Sequence, residues 1–221
     1  MNETQKTKRI WEALERSILS GKGIDIGCGP DPLSAEVKAF DLKDGDANEI
    51  TKYVDGVFDF VYSSHCLEHM REPTKAIQEW WKLVKPGGHL FILVPDEDLY
   101  EQGVFPSRFN SDHKATFTIS KSHSWSPVSI NVLDLVKLLP NAELVSLALQ
   151  NHNDDMRLLA HGPSPENWLA KKLLRGYRSL KKRTGISSQL LDVLSCRYIA
   201  TDQTVSENTL AQIQLIVKKL P

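Results

Sequence analysis

The residue pattern best suited to chemistry is Asp25-Ile26-Gly27-Cys28-Gly29, a carboxylate two positions before a pair of glycines. Glycines let the backbone approach a ligand closely, and free N–H groups in such a turn attract a carboxylate or phosphate. A dinucleotide fingerprint would need a third glycine where Pro32 stands, which argues against a nicotinamide or flavin cofactor. His152, Asp154, Asp155 and His161 offer imidazole and oxygen ligands for magnesium or another divalent ion. Their loose spacing after a strand leads us to expect no metal there. The third feature is a run of seven basic residues without an acidic one between Lys171 and Arg183. Its helical projection places Lys171, Arg175, Arg178 and Lys182 on one face, and Leu169, Leu173, Tyr177 and Leu180 on another.

The elements that must position these residues follow from hydrophobic periodicity. Ile10, Trp11, Leu14, Ile18 and Leu19 fall on one stripe of an expected helix over 8–19, ended by Gly21 and Gly23. Short apolar strands are expected at 23–26, 37–41, 58–64, 89–94, 143–149 and 211–218, and helices at 73–84 and 128–139. Near-continuous apolar strands alternating with helices indicate an α/β fold: a doubly wound, mostly parallel sheet covered on both faces. Ligands in such sheets bind beyond the carboxyl ends of the strands, which here carry the glycine turn, Asp41, Ser63-Ser64-His65 and Pro95-Asp96. A single domain is expected, with a core over 22–150 plus a final strand within 208–221, a lid loop over 97–127, and an insertion over 151–207 that holds the basic helix.

Composition narrows the class further. The chain has 221 residues, 41% of them hydrophobic, which suffices for a sizeable core. Lys and Arg number 27 against 28 Asp and Glu, but removing the basic run leaves 20 against 28, a net of −8 on the remainder. Three separated cysteines, Cys28, Cys66 and Cys196, supply neither a disulfide framework nor a metal knuckle. No apolar run is long enough to span a bilayer and the N-terminus lacks a signal-like apolar stretch, so a cytoplasmic location is expected.

These strand ends resemble the class I S-adenosylmethionine-dependent methyltransferases, whose first motif is Asp/Glu-x-Gly-x-Gly-x-Gly. Residues 58–69, FDFVYSSHCLEH, are similar to that family's "FD-V-S-HVLEH" stretch, and 83–90, LVKPGGHL, to its "LKPGG-L" entry. The resemblance covers about 22–150 and the last strand, and it implies a Rossmann-like methyltransferase fold with S-adenosyl-L-methionine as cofactor and S-adenosyl-L-homocysteine as product. It places the methionine part on Asp25, Gly27, Cys28 and Gly29. The ribose falls to Asp41, followed by Leu42, and the adenine to Asp46-Ala47. Ser63, Ser64 and His65 complete the cofactor set, Ser64 or His65 through the backbone, while His65 and His69 otherwise read as loop or cap histidines. The third glycine of the motif is Asp31 here, and only 16 positions separate Asp25 from Asp41 and five Asp41 from Asp46. Shortened or missing helices are therefore expected in those gaps.

Sulfonium methyl transfer needs alignment above all, and a hydroxyl acceptor also needs a base. His113 lies beyond the strand at 89–94, where acceptors bind in this family, and its "DH…FT" context resembles methyltransferases of bacterial surface-polysaccharide clusters. The implied activity is O-methylation of a small acceptor, a sugar or glycan intermediate, with His113 as base. The basic helix reads as a solvated face, as a holder of a phosphate-bearing acceptor such as a nucleotide sugar or lipid-linked glycan, or as a nucleic-acid or peripheral membrane patch. Two rival classes remain: a scaffold that keeps the fold without turnover, and an RNA methyltransferase. The second is disfavoured because Ser63-Ser64-His65-Cys66 replaces a base-flipping Asn-Pro-Pro-Tyr-like motif.

Overall fold

The computed structural model describes residues 3–221. Its chain opens with two short helices, α1 (Glu3–Lys8) and α2 (Ala13–Ile18), instead of one helix over 8–19. Glu12 and Glu15 form a reciprocal capping box that starts α2 afresh. The break between the helices drops Trp11 into the core, where its ring meets Tyr62 and Phe91 at centroid distances of 6.0 and 5.8 Å.

β1 (Gly23–Ile26), β2 (Lys38–Phe40), β3 (Phe58–Ser64) and β4 (Val84–Pro95) are mutually parallel. α3 (Pro73–Lys82) crosses from β3 to β4. β5 (Thr116–Thr118) and β6 (Ser129–Asn131) pair in a separate small sheet, and α4 (Val132–Lys137) follows at once, capped by Asn131. The helix expected over 128–139 thus yields its first residues to β6. β7 (Ala142–Gln150), α5 (Trp168–Thr184), α6 (Gln189–Tyr198) and β8 (Gln212–Lys219) complete the chain. The main sheet has the order β2-β1-β3-β4-β8-β7, and β8 alone runs against its neighbours, so the fold is mixed α/β with a mostly parallel, doubly wound sheet.

The central strands are dry on both faces because they are apolar on both, whereas the edge strands β2 and β7 are partly exposed. Val61, Leu90 and Ile92 pack with α3 on one side, while Phe60, Tyr62, Phe91 and Leu93 pack under Trp11 and Ile18 on the other. α3 is anchored by two fully buried indoles, Trp80 donating to the Ala47 carbonyl at 2.8 Å and Trp81 to that of Pro140 at 2.9 Å. Lys85-Pro86-Gly87-Gly88 lies inside β4 as a bulge, where pairing jumps from Phe58–Val84 to Phe60–His89. A Cβ on Gly88 would stand 2.7 Å from the Asp59 carbonyl oxygen.

No helix joins β1 to β2, and only a 3-10 segment, Ala47–Lys52, joins β2 to β3. This is the compression that the spacing requires. It leaves the β1/β3 switch point, where the strand order reverses, roofed by loops.

Candidate active site

The glycine turn is clamped to the end of β2, since the Gly27 and Cys28 amides both point at the Phe40 carbonyl, at 2.8 and 3.4 Å. Gly27 has φ +75°, and a side chain there would meet Cys66 Sγ at 2.4 Å, so both conformation and space demand glycine. Gly29 has φ +54°, and its amide has no partner among the described residues. Asp25, 1% exposed, accepts the Leu33 amide at 2.7 Å and so pins the return of the loop. Burial, aided by the charges of Asp31 and Asp41, pushes its carboxyl up to about 7. The same surroundings raise the Cys28 thiol, through burial first and then the carboxylates of Asp25 and Asp41.

Two clefts meet at this turn. The larger, about 810 Å³, has Asp41, Leu42 and Ala47 on one side and Cys66 and Met70 on the other. The Asp41 carboxylate accepts no hydrogen bond from the described residues, whereas Asp46 is occupied: it takes Arg71 at 2.8 Å and caps the 3-10 segment through Asn48 at 2.9 Å. Those bonds to Asn48, reinforced by Arg71, hold its carboxyl below the usual range. The smaller cleft, about 220 Å³, is lined by Asp25, Gly29, Ser64 and His65 from the strand ends and by Tyr100 and His113 from the segment after β4. Gly27, His65 and His69 border both. Ser63 borders neither: it is fully buried and its hydroxyl donates to the Ile26 carbonyl at 2.9 Å, tying β3 to β1 beneath the turn. Its side chain thus supports the turn from beneath, β3 being buried on both faces over Phe60, Val61, Tyr62 and Ser63.

The region expected to be a lid packs as one wall of the smaller cleft. Glu97, fully buried, gathers the hydroxyls of Thr116, Ser124 and Ser129 at 3.0, 2.6 and 2.6 Å and the Lys121 ammonium at 3.0 Å. Asp96 caps the wide turn Glu97–Glu101, and burial pushes its carboxyl up to about 6. That turn carries Glu101, whose Oε1 lies 2.6 Å from His113 Nδ1. The pair is 3% and 1% exposed, and Tyr100 stacks on the imidazole at 5.4 Å. His113 Nε2 is left facing Glu68, 4.0 Å away.

Glu68 is the residue that sequence reasoning missed, although it stands within the stretch 58–69. It is 1% exposed, neither carboxylate oxygen has a hydrogen bond, and its backbone carbonyl receives Lys114 at 2.7 Å, which docks the wall onto the strand ends. His65 Nδ1 lies 3.5 Å from it. Burial alone would lower the His65 imidazole, yet Glu68 lifts it to about 9; reciprocally, burial would raise Glu68, yet His65 first and then His113 and His69 hold it down. His69 completes the group, with Nδ1 2.9 Å from Asp112 and its ring edge-on to His113 at 4.9 Å.

Among the described residues, Glu68, His69 and His113 form the one group whose ligand atoms, within 4.8 Å of one another, could hold a metal ion. His152, Asp154, Asp155 and His161 do not assemble: Asp155 is paired with Arg157 at 2.7 Å, and Asp154 is half-buried and unpaired, its carboxyl raised to about 6 by burial and Asp155.

Residues 3–126 match the family model of a methyltransferase domain. The chain belongs to the methyltransferase domain family. The glycine turn, the larger cleft and the Glu101–His113 pair lie inside the matched part of this methyltransferase domain, and the smaller cleft lies mostly inside it, with Thr204, Ala211 and Gln212 added from beyond. An uncharacterized protein of Methanocaldococcus jannaschii is 29% identical over 126 residues, which is 46% of this chain and 60% of that protein. The chain thus spans less than two thirds of the length of the curated relative that it matches. Among solved structures, a putative methyltransferase from Bacillus halodurans is 12% identical over 94% of this chain and 97% of that one, with a TM-score of 0.49. A methyltransferase from Archaeoglobus fulgidus is 14% identical over 99% and 95%, with a TM-score of 0.48. No described helix of the methyltransferase is long and apolar enough to cross a membrane.

Proposed function

We propose that the protein transfers a methyl group from S-adenosylmethionine to a hydroxyl of a small acceptor, a sugar or glycan intermediate. The observation that carries this reading is the junction at Gly27: a cleft with a free carboxylate at Asp41 joins a cleft in which His113 is held by Glu101. The residues fit the cofactor. Asp41 offers two oxygens to a diol, Met70, Cys66 and Leu42 offer apolar surface to a base, and the buried Asp25 carboxyl, pushed up to about 7, is a group that an ammonium would stabilise in its charged form.

S-adenosylmethionine supplies an electrophilic methyl whose sulfur leaves as a neutral thioether. Glu101 accepts the Nδ1–H of His113, which fixes the tautomer and leaves the Nε2 lone pair on the Glu68 side, His113 and Glu68 both lining the smaller cleft. As the acceptor oxygen–methyl bond forms and the carbon–sulfur bond breaks, His113 Nε2 takes the hydroxyl proton, and Glu101 with Glu68 stabilises the resulting imidazolium. The Glu97 knot keeps this wall rigid, so alignment is built in before the acceptor arrives.

Calorimetry with S-adenosylhomocysteine tests the donor side: wild type binds and Asp41→Ala binds at least ~10-fold more weakly. No binding by wild type, or unaltered binding by the variant, rejects the assignment. Turnover is read on a panel of nucleotide sugars and lipid-linked sugars, with and without a chelator. Binding without transfer to any acceptor supports the scaffold class. Turnover that vanishes with chelator and returns with a divalent ion makes His113 a ligand beside Glu68 and His69, and removes it as the base.

A further inference from the structure

The helical pair α5–α6 leaves an apolar surface that nothing in the fold covers. Trp168 is 73% exposed, Leu173 66%, Ile186 71% and Leu190 77%, and five further large apolar side chains between Leu169 and Leu194 are also exposed. In α5 only Leu174 is buried. At 100° per residue, Leu169, Leu173 and Leu180 fall within an arc of about 40° on the outward side. Lys172 and Arg183 edge that arc on one side, with Arg175 further round, and all three are exposed. On its other side Tyr177 reaches Asp192 of α6 at 2.9 Å, and α6 adds Leu190, Val193 and Leu194 to the exposed surface.

Charge identifies the occupant. Residues 168–198 carry eight basic side chains and one acidic, Asp192, which is already engaged by Lys181 at 2.7 Å. Arg178 is turned inward to Ser195 and the Ile199 carbonyl, whereas Lys171, Lys172, Arg175, Lys182, Arg183 and Arg197 form no ion pair among the described residues. A second copy meeting this surface about a two-fold axis would set like charges against like, which disfavours self-association. RNA would meet the cations but would leave aliphatic leucines unmatched, because single strands stack on aromatics. A bilayer with anionic headgroups satisfies both halves: leucines and Trp168 sink to the acyl boundary, while Lys and Arg stems reach up to phosphates.

The geometry points to α5–α6 as a docking face for an anionic lipid surface. The pair is joined to the acceptor side, since α6 packs on the 3-10 turn Met156–Leu158 and the adjacent Leu159 packs on Leu99 and Tyr100, the latter lining the smaller cleft. Docking would thus act on elements that pack against a residue of the acceptor side.

The test is co-sedimentation of the full chain with phosphatidylcholine vesicles, with and without about 30 mol% phosphatidylglycerol. Binding to the anionic vesicles should exceed binding to the neutral ones at least ~10-fold and should collapse when salt is raised from about 0.1 M to about 0.5 M. The triple variant Lys172→Glu, Arg175→Glu, Arg183→Glu should lose ~100-fold or more, and Leu173→Asp with Leu190→Asp at least ~10-fold. All five positions are exposed, so unchanged S-adenosylhomocysteine binding serves as the folding control. Equal binding to both vesicles, or to neither, overturns the proposal. Wild-type binding by either variant does the same. Loss of vesicle binding on adding soluble glycerol phosphate assigns the patch to free phosphate groups instead. A dimer in sedimentation velocity that Leu173→Asp dissociates, without vesicle binding, assigns it to a second copy.

Discussion

The sides of the cleft that we propose for the donor and for the acceptor are built from opposite materials. On the donor side the working parts are backbone shape and an accessible carboxylate: Gly27 and Gly29 at positive φ, and a Gly29 amide and an Asp41 carboxylate that have no hydrogen-bond partner among the described residues. The acceptor side is a buried network of ionisable side chains, Glu68, Glu101 and His113, each at most 6% exposed and drawn from segments up to 45 residues apart. A site that binds by shape fails when something is added to it, and a site that moves a proton fails when something is taken away. The sharpest variants of the two sides should separate affinity from turnover.

The largest effect is expected on the acceptor side. His113→Ala should lower kcat by about 10²–10⁴ while the affinity for S-adenosylhomocysteine stays within about twofold. Glu101→Gln should show the same split at smaller amplitude, because the amide still accepts the Nδ1–H but no longer stabilises an imidazolium. Parallel losses of affinity and kcat in His113→Ala would join the two sides into one and end the comparison. Next in size comes Gly27→Val. Its Cβ would overlap Cys66 Sγ, found 2.4 Å away, at a φ of +75° that β-branched residues avoid. Strain and overpacking together should cost about 2–5 kcal/mol of stability, and S-adenosylhomocysteine affinity should fall ~100-fold or more. Thermal melts with calorimetry on the same samples check both numbers.

How much of each side was legible in the sequence follows from the same contrast. Asp25, Gly27, Gly29 and Asp41 lie within 17 consecutive residues, on elements whose apolar runs mark them, so local pattern and strand-end logic suffice. The spacing also foretold the missing helix between β1 and β2. The wall was readable only as a polar stretch, since Glu97 becomes a buried knot through hydroxyls 19 to 32 residues away. A carboxylate surrounded by Ser and Thr reads locally as solvated loop. Glu68 stood in plain view inside a motif, but its burial depends on Lys114 and Ala115 folding back onto its carbonyl. The N-terminal stripe misled for a third reason: tertiary burial of Trp11 and the Glu12–Glu15 box outweighed helical periodicity across 8–19.

A smaller effect tests charge on the donor side. The Asp25 carboxyl, raised to about 7 by burial, is protonated in the free protein under mildly acid conditions. A ligand ammonium favours the carboxylate, so binding must release that proton: affinity should be flat above about pH 8 and fall by up to about tenfold per unit below about pH 6. Stability of the free protein runs the other way. A carboxyl whose folded value is raised favours the fold most below its unfolded value of 3.8, and that contribution is lost as pH rises through about 7. Asp25→Asn should flatten both dependences, measured as calorimetric proton release and as the difference in melting temperature from wild type across pH 4–8. An unchanged affinity profile in the variant would place the ammonium elsewhere in the cleft.

The smallest expected effect decides where the donor side ends. Asp46 sits in the place that the family resemblance gives to the adenine contact, yet its carboxylate is engaged by Arg71 at 2.8 Å and by the Asn48 amide at 2.9 Å. Asp46→Asn keeps a side-chain oxygen for the cap and removes only a largely exposed ion pair, worth about 0.2–1 kcal/mol. The melting temperature should drop by no more than about 4 °C, and S-adenosylhomocysteine affinity should change less than about threefold. A tenfold loss of affinity at the same melting temperature would show that the carboxylate leaves Arg71 to meet the base. The donor side would then extend past Asp41 along the 3-10 segment, and its specificity for adenine would rest on a side chain that is exchanged between two partners.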